Sequence, residues 1–399
     1  YLHWGNLILT MPPKRVAGTL LIVGIKNFLS LKMKTSNSLT FLIVLPWFVS
    51  TTAFLFSVEK DDSTGRQKMI EKAVSFLRDV GQAPDGSFSN KTGPGVTGLV
   101  VAGLLSVDIP VDNPLIAKSL KFLESTRQDN GGLYAPKSTH ANYETCLAIM
   151  AFSKANQNGK YTELIKGAEL FVKKEQWDEE EGIKSDDVEY GGAGYGSKSR
   201  PDLSNTAFLI DALRSAGVSE EDEAIQRALV FVSRCQNLES AHNRTEFASK
   251  INDGGFYYTP AAGGDSMAGK TESGGLRSYA SMTYAGLKSM IFAGVDREDF
   301  RVQAAKRFLY DNFSVSTNPG MGSSGLYYYQ QTMAKALDAL GEKEFKTKDG
   351  LRDWKSELLS QLEAAQQPNG SWTNPDARWM EGDSNLVTGY VLLTLAYLK

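Results

Sequence analysis

Three groups of side chains in this 399-residue chain have the types and spacing to do chemistry. The first is Asp202-Leu203-Ser204-Asn205-Thr206-Ala207. A carboxylate and two short polar side chains at the head of a helix accept backbone N–H groups as an N-cap. The same three residues, Asp202, Ser204 and Asn205, also make a polar patch that a ligand would find, so both readings stand. The second group is Glu144-Thr145-Cys146. A carboxylate and a thiol two residues apart are half of a zinc set, and a histidine would have to complete it. His140 and His242 are the nearest histidines, and neither is expected on the same kind of helix. Glu144 and Cys146 therefore stay weak metal candidates, Cys146 reads first as a small core residue, and no cofactor is expected, zinc included. The third group is aromatic: Tyr327-Tyr328-Tyr329 in a run, with Tyr143, Tyr195, Tyr279 and Tyr284 at comparable places. Ring faces stabilise cations and stack on apolar or sugar-like ligands. Tyr143, Tyr195, Tyr279, Tyr284, Tyr328 and Tyr329 are the ligand-binding candidates, against the alternative that they pack a core.

Other segments read as structure. The run Gly191-Gly192-Ala193-Gly194-Tyr195-Gly196 has no preceding strand and no following Lys-Ser/Thr, so it is a turn and not a phosphate loop. Asp178-Glu179-Glu180-Glu181 reads as a solvated loop, with calcium binding the lesser alternative. The Gly-, Ser- and Thr-rich insertion between Tyr257 and Tyr279 is long enough to serve as a lid.

What positions these groups is a repeat. From residue 66 onward six copies of one unit recur. Each has an amphipathic stretch ending in a Gln, as in Phe76-Leu77 to Gln82, Phe122-Leu123 to Gln128, Val230 to Gln236 and Gln361 to Gln367. A glycine turn with an aromatic follows: Asp85-Gly86-Ser87-Phe88, Asn130-Gly131-Gly132-Leu133-Tyr134, Gly191 to Tyr195, Asp253-Gly254-Gly255-Phe256, Gly325-Leu326-Tyr327 and Asn369-Gly370-Ser371-Trp372. A helix then opens near a Thr, at Thr97, Thr145, Thr206, Thr283, Thr332 and Thr388. Asx-Gly pairs supply the positive φ that ends a helix and turns the chain. Small residues such as Ala207, Ala212, Gly286, Ala334 and Ala336 let the Thr helices pack closely. A helix hairpin cannot bury its apolar face alone, so copies must stack. No polar capping copy marks either end, which favours a closed ring over an open superhelix. The expected fold is all-α, an (α/α)6 toroid of six helix hairpins over 58–399, with the Thr helices lining the centre.

Composition excludes some functions. A net charge of −3 leaves no basic excess for nucleic acid. Two cysteines cannot build a disulfide framework. Residues 1–57 contain no acid and carry Lys14, Arg15, Lys26, Lys32 and Lys34. From Met33 the order is a basic start, an apolar run from Leu39 to Val49, then Ser50-Thr51-Thr52-Ala53. That is the layout of a secretory signal peptide, with an uncleaved anchor as the alternative. Residues 1–57 are thus an N-terminal extension and signal peptide, with the true start expected at Met33. The expected location is exported: periplasmic, extracellular or on the cell surface, with no transmembrane domain after signal cleavage.

The repeat resembles that of the prenyltransferase and squalene-oxidase/cyclase family, in the terpenoid cyclase/protein prenyltransferase superfamily of α/α toroids. Gln366/Gln367-Pro368-Asn369-Gly370-Ser371-Trp372 is similar to the Gln…Gly-x-Trp motif of triterpene cyclases. The resemblance implies a central cavity of the kind that holds isoprenoids. It also implies where cyclase chemistry would sit. Squalene-hopene cyclases carry Asp-x-Asp-Asp-Thr-Ala, and the central acid protonates an alkene. Here Asp202, Thr206 and Ala207 match, while Ser204 and Asn205 replace the other two acids. Neither a hydroxyl nor an amide is acid enough for that step. Glu144-x-Cys146 is similar to the Asp-x-Cys of protein prenyltransferases, without a convincing His. Cys235-Gln236 lacks the glycines of a thioester turn. The expected function is therefore an exported toroid that binds an apolar small molecule, a peptide or a glycan, or acts as a scaffold. The alternative is an enzyme acting on an isoprenoid or other apolar substrate in the cavity. An apolar cavity with an unpaired buried carboxylate favours the enzyme; a filled or polar centre disfavours it.

Overall fold

The repeated glycines explain how the helices are stacked. In a computed structural model, which describes residues 62–399, Gly86, Gly131, Gly191, Gly254 and Gly370 all have φ between +76° and +95°. A Cβ on any of them would overlap a backbone carbonyl of the next outer helix: Lys118, Gly167, Arg227, Ala304 and Lys72 in turn. Only glycine combines that backbone conformation with that approach. The last contact joins the sixth copy to the outer helix at residues 62–76 and closes the ring.

Among the described residues there are twelve α-helices: α1 (Asp62–Phe76), α2 (Gly95–Ser106), α3 (Pro114–Glu124), α4 (Ala141–Ala155), α5 (Thr162–Lys174), α6 (Leu203–Ser215), α7 (Glu223–Arg234), α8 (Ala280–Phe292), α9 (Phe300–Asp311), α10 (Leu326–Leu340), α11 (Trp354–Ala365) and α12 (Ser384–Leu395). The even-numbered helices pack on one another in cyclic order, with α12 returning to α2. The odd-numbered helices lie outside them. The all-α toroid with its Thr helices inside is as the repeat predicts. A short hairpin, β1 (Phe345–Thr347) antiparallel to β2 (Gly350–Arg352), precedes α11. The acid-free segment and its expected signal peptide lie outside the described residues. Among the described residues no helix is long and apolar enough to cross a membrane.

Sequence signals account for the helix ends. Asn113, Asp222, Asp299 and Asp353 open the outer helices α3, α7, α9 and α11, each side chain accepting a first-turn N–H. Two of the inner helices, α2 and α12, are enclosed on all sides: Gly95–Leu104 and Leu386–Leu395 are buried without interruption, as a helix walled in by neighbours requires. The repeated Thr is a latch. Its hydroxyl accepts the backbone N–H next to the glycine turn: Phe88 to Thr97 (2.9 Å), Leu133 to Thr145, Ala193 to Thr206 and Phe256 to Thr283 (3.0 Å each), Trp372 to Thr388 (3.4 Å). The repeated Gln is a staple in most copies, while Gln128 donates to the Thr126 and Tyr134 carbonyls of its own turn. Gln82, Gln236 and Gln366 each donate both to their own turn glycine's carbonyl and to a carbonyl of the next outer helix, Leu115, Arg301 and Met69.

Two details correct the repeat alignment. In the last copy the staple is Gln366, one residue before the spacing-matched Gln367, whose amide bonds Thr373 instead. In the fifth copy Gly325-Leu326-Tyr327 is not a turn before the helix: Gly325 is the N-cap of α10. There Tyr329 and Gln330 donate to the Ser314 and Val315 carbonyls, where other copies use the Thr latch. Thr332 bonds only within its own helix.

A buried charge cluster joins three inner helices. Asp211 on α6 pairs with Lys288 on α8 (2.6 Å) and Lys335 on α10 (2.9 Å). Burial pulls the Lys288 ammonium down to about 8, while the two lysines hold Asp211 low despite its burial. The Asp178–Glu181 run is a short helical turn whose ends pair with Arg227 (3.2 Å) and Lys198 (2.7 Å).

Candidate ligand cavity

The inner helices all begin at one end of the ring, and their first turns enclose a cavity of about 680 Å³. Its lining includes Val96, Tyr143, Ser204, Met282, Tyr328 and Leu386, one from each inner helix. Four rings from four helices form a circuit in its wall. Tyr143 (α4) meets Phe208 (α6) edge-on at 5.2 Å between centroids, Phe208 meets Tyr328 (α10) at 6.2 Å, and Tyr328 meets Tyr390 (α12) at 6.0 Å. The Tyr390 and Tyr143 hydroxyls interact and complete the circuit. Tyr195 extends it, 6.0 Å from Tyr143, and His140 packs edge-on to Tyr195 at 4.8 Å. Burial drives all these phenols upward, Tyr143 to about 12, so they stay neutral hydrogen-bonding groups.

The residues singled out in sequence separate into two sets. Tyr143, Tyr195, Tyr279, Tyr328, Ser204 and Glu144 line the cavity. Tyr284 and Tyr329 do not. They are fully buried and pack on each other at 5.8 Å between α8 and α10. One position along a helix turns a side chain by about 100°, so neighbours of cavity residues face the wall between helices. Cys146 is likewise buried in that wall, its Sγ donating to Asn142 Oδ1 at 3.6 Å, and burial raises its thiol pKa. Among the described residues no group of three or more His, Cys, Asp or Glu is placed to hold a metal ion.

Asp202 is the N-cap of α6. Its Oδ1 accepts the Asn205 backbone N–H (2.9 Å) and its Oδ2 accepts Asn205 Nδ2 (2.7 Å). Ser204, by contrast, faces the cavity and shares a 3.0 Å hydrogen bond with the Tyr328 hydroxyl. Behind the wall, Asp202 interacts with the phenol of Tyr258, which itself lines the cavity. Burial raises the Asp202 carboxyl from 3.8 to about 6. The folded protein therefore binds this proton more tightly than the unfolded chain. The resulting stabilisation is present below the unfolded value and is lost as pH rises through about 6. Asp202→Asn keeps the cap and removes the titration. From about pH 4 to about pH 7 its stability relative to wild type should rise by about 2 kcal/mol. Denaturant unfolding of both proteins across that range checks this, and a constant difference would show that Asp202 ionises without penalty.

Several cavity residues had no role assigned from sequence: Phe208, Tyr258, Trp379, Glu381 and Tyr390. Phe208 and Tyr390 share an offset, each two residues after its repeat Thr, and that offset was the available signal. Tyr258 comes from the insertion expected as a lid, which also contributes Met267. Glu381 caps α10 from outside the helix. Its Oε1 accepts the Tyr328 N–H (2.9 Å) and its Oε2 accepts Asn374 Nδ2 (2.7 Å). Glu144 is held by the Ala135 N–H (2.9 Å) and the Ser138 hydroxyl (2.8 Å). Burial raises both carboxyls.

No protein-family model matches the chain, and no curated protein matches it. Solved structures do. A variant of the type II terpene cyclase MstE from Scytonema, in complex with geranylgeranyl dihydroxybenzoate, is similar with a TM-score of 0.51 at 12% identity, covering 84% of this chain and 98% of that one. A D-mannose isomerase is similar with a TM-score of 0.51 at 12% identity, covering 85% and 99%. A family 76 glycoside hydrolase from a bovine Bacteroides thetaiotaomicron strain is similar with a TM-score of 0.51 at 9% identity, covering 82% and 77%. At such identities the likeness is one of fold, and by fold the chain is an α/α toroid like these enzymes.

Proposed function

We propose that this protein is a binding toroid whose cavity takes a small ligand with an apolar body. The observation that carries this reading is the four-ring circuit Tyr143–Phe208–Tyr328–Tyr390 in the wall of an open cavity. Such a wall offers apolar area and ring faces with few rotatable bonds to order. The carboxylates around it have their oxygens engaged by N–H and O–H donors, so they serve first to hold the backbone, Asp202 and Glu381 as caps and Glu144 by binding the loop before α4. Ser204 and Asn205 give no strong acid for alkene protonation. The complexed terpene cyclase shows that a toroid of this fold can hold an isoprenoid chain. Isothermal titration with geranylgeraniol should give binding, weakened at least about tenfold by Tyr143→Ala. No binding, or unchanged binding by the variant, would refute this reading.

One observation favours an enzyme instead. Asp202, poised at about 6, touches Tyr258 at the cavity wall and could pass a proton through that phenol. Incubated ligand recovered unchanged supports the binding toroid. Conversion that Asp202→Asn abolishes would replace it with the enzyme. We also infer export, from the acid-free start and the apolar run of residues 1–57. Cell fractionation with N-terminal sequencing near Ala53 tests that point.

A further inference from the structure

We propose that the ligand of this cavity is an organic cation, an alkyl- or arylammonium whose charged head sits among the rings and whose apolar remainder fills the rest. This rests on the reading of the cavity as a binding site and goes further by fixing the charge of what binds. The rings come first. Tyr143, Phe208, Tyr328 and Tyr390 surround one space from four directions, and their contacts with one another are edge-on or tilted. A cation over ring faces is attracted by their quadrupoles, more strongly where water is excluded.

The charges in the wall point the same way. Glu144 and Glu381 line the cavity and are 3% and 1% exposed. Both are held by backbone N–H groups, a hydroxyl and an amide, all neutral donors. Among the described residues neither forms an ion pair. The cations in the lining are Lys91 and Lys137, and both are exposed at the mouth. Two buried carboxylates without a counter-ion, set among neutral rings, leave the interior lacking positive charge. A desolvated ammonium would supply it, at a site where burial disfavours a carboxylate that has no counter-ion. A diphosphate or other anion would reach the lysines first and then meet Glu144 and Glu381.

The test is a set of three probes of similar shape, titrated calorimetrically into the purified protein. Phenyltrimethylammonium and tert-butylbenzene differ in charge and hardly in volume; benzenesulfonate is the anionic counterpart. The expected result is that the ammonium binds at least about tenfold more tightly than the neutral isostere and that benzenesulfonate is weakest. Glu144→Gln and Glu381→Gln, each keeping the shape of the side chain, should narrow the ratio between ammonium and isostere. Equal affinity for the ammonium and tert-butylbenzene would overturn the cation inference and leave the apolar cavity standing. Tighter binding of benzenesulfonate would overturn it in favour of the lysine-rimmed mouth. Failure of all three probes and of geranylgeraniol would overturn the cavity reading itself.

Discussion

Gly191→Ala should destabilise the folded toroid by about 3–5 kcal/mol, the largest effect expected of any single methyl added to this chain. Two costs combine. At φ +80° the new residue sits in the left-handed region, which costs roughly 1–2 kcal/mol for a residue with a Cβ. The added methyl also runs into the Arg227 carbonyl and its carbon on α7. Those are backbone atoms, so relief requires the turn and α7 to separate. The same movement would stretch both Gln176 bonds, to the Gly191 carbonyl (2.8 Å) and the Ala224 carbonyl (2.9 Å). Gly217 supplies the control. Its φ is +85°, and a Cβ there meets nothing within 4 Å, so Gly217→Ala should cost only about 1–2 kcal/mol. Urea unfolding of both variants isolates the clash as the difference. Equal losses would mean that the turns yield freely and that close approach to the outer helix does not explain the repeated glycine.

Asp211→Asn should cost about 3–5 kcal/mol, because it leaves two buried ammonium groups with no carboxylate. Asp211, Lys288 and Lys335 are 4%, 4% and 8% exposed, so solvent does little to screen them. The cluster ties α6, α8 and α10 through one oxygen, Oδ2, while Oδ1 has no hydrogen-bond partner. Removing all charge at once should be milder than removing one. The triple variant Asp211→Leu, Lys288→Met, Lys335→Met should be more stable than Asp211→Asn, since a buried ion cluster contributes little over an apolar one of similar volume. Thermal unfolding of wild type and both variants orders them. A triple variant less stable than Asp211→Asn would show that the cluster stabilises the ring beyond balancing its own charges. The linkage has a defined sign as well. Asp211 is held below its unfolded pKa, so its contribution is present above that value and is lost as pH falls through the folded one. Lys288, lowered to about 8, acts in the same direction at the alkaline end, since the unfolded chain binds more protons between about pH 8 and the ordinary lysine value of 10.5.

The discriminating feature posed from sequence was an apolar cavity with an unpaired buried carboxylate. The structure has the cavity, and it has buried carboxylates outside any ion pair, yet all three are satisfied by hydrogen bonds, Asp202 and Glu381 at helix starts and Glu144 by donors of the loop before α4. Six inner helices aim their N-terminal dipoles at one end of the ring, and acidic caps answer that field. Acidic residues near this mouth thus have a structural reason to be there before any chemical one. The charge preference of the cavity, read with three probes, separates the two roles.

The sequence by itself determined the ring and most of its joints. The Asx-Gly turns, the Thr near each inner helix start and the Gln before each turn are local requirements. A positive φ, a buried N–H and a pair of carbonyls each favour one residue type, so they leave a mark near the same place in most copies. The tertiary structure alone decided which side chains face the cavity. Helices such as α2 and α12 are buried all round, so no polar face records which way they are turned. Tyr328 and Tyr329 look alike in sequence, yet one lines the cavity and the other packs against Tyr284. Glu381 and Tyr258 come from connecting segments whose lengths differ between copies, and only the folded chain brings them to the same mouth. The fifth copy kept the latch position but filled it with Tyr329 and Gln330. There the direction is reversed: the Thr hydroxyls of the other copies accept a backbone N–H, while Tyr329 and Gln330 donate to carbonyls, and more than one residue type can tie a helix start to the turn.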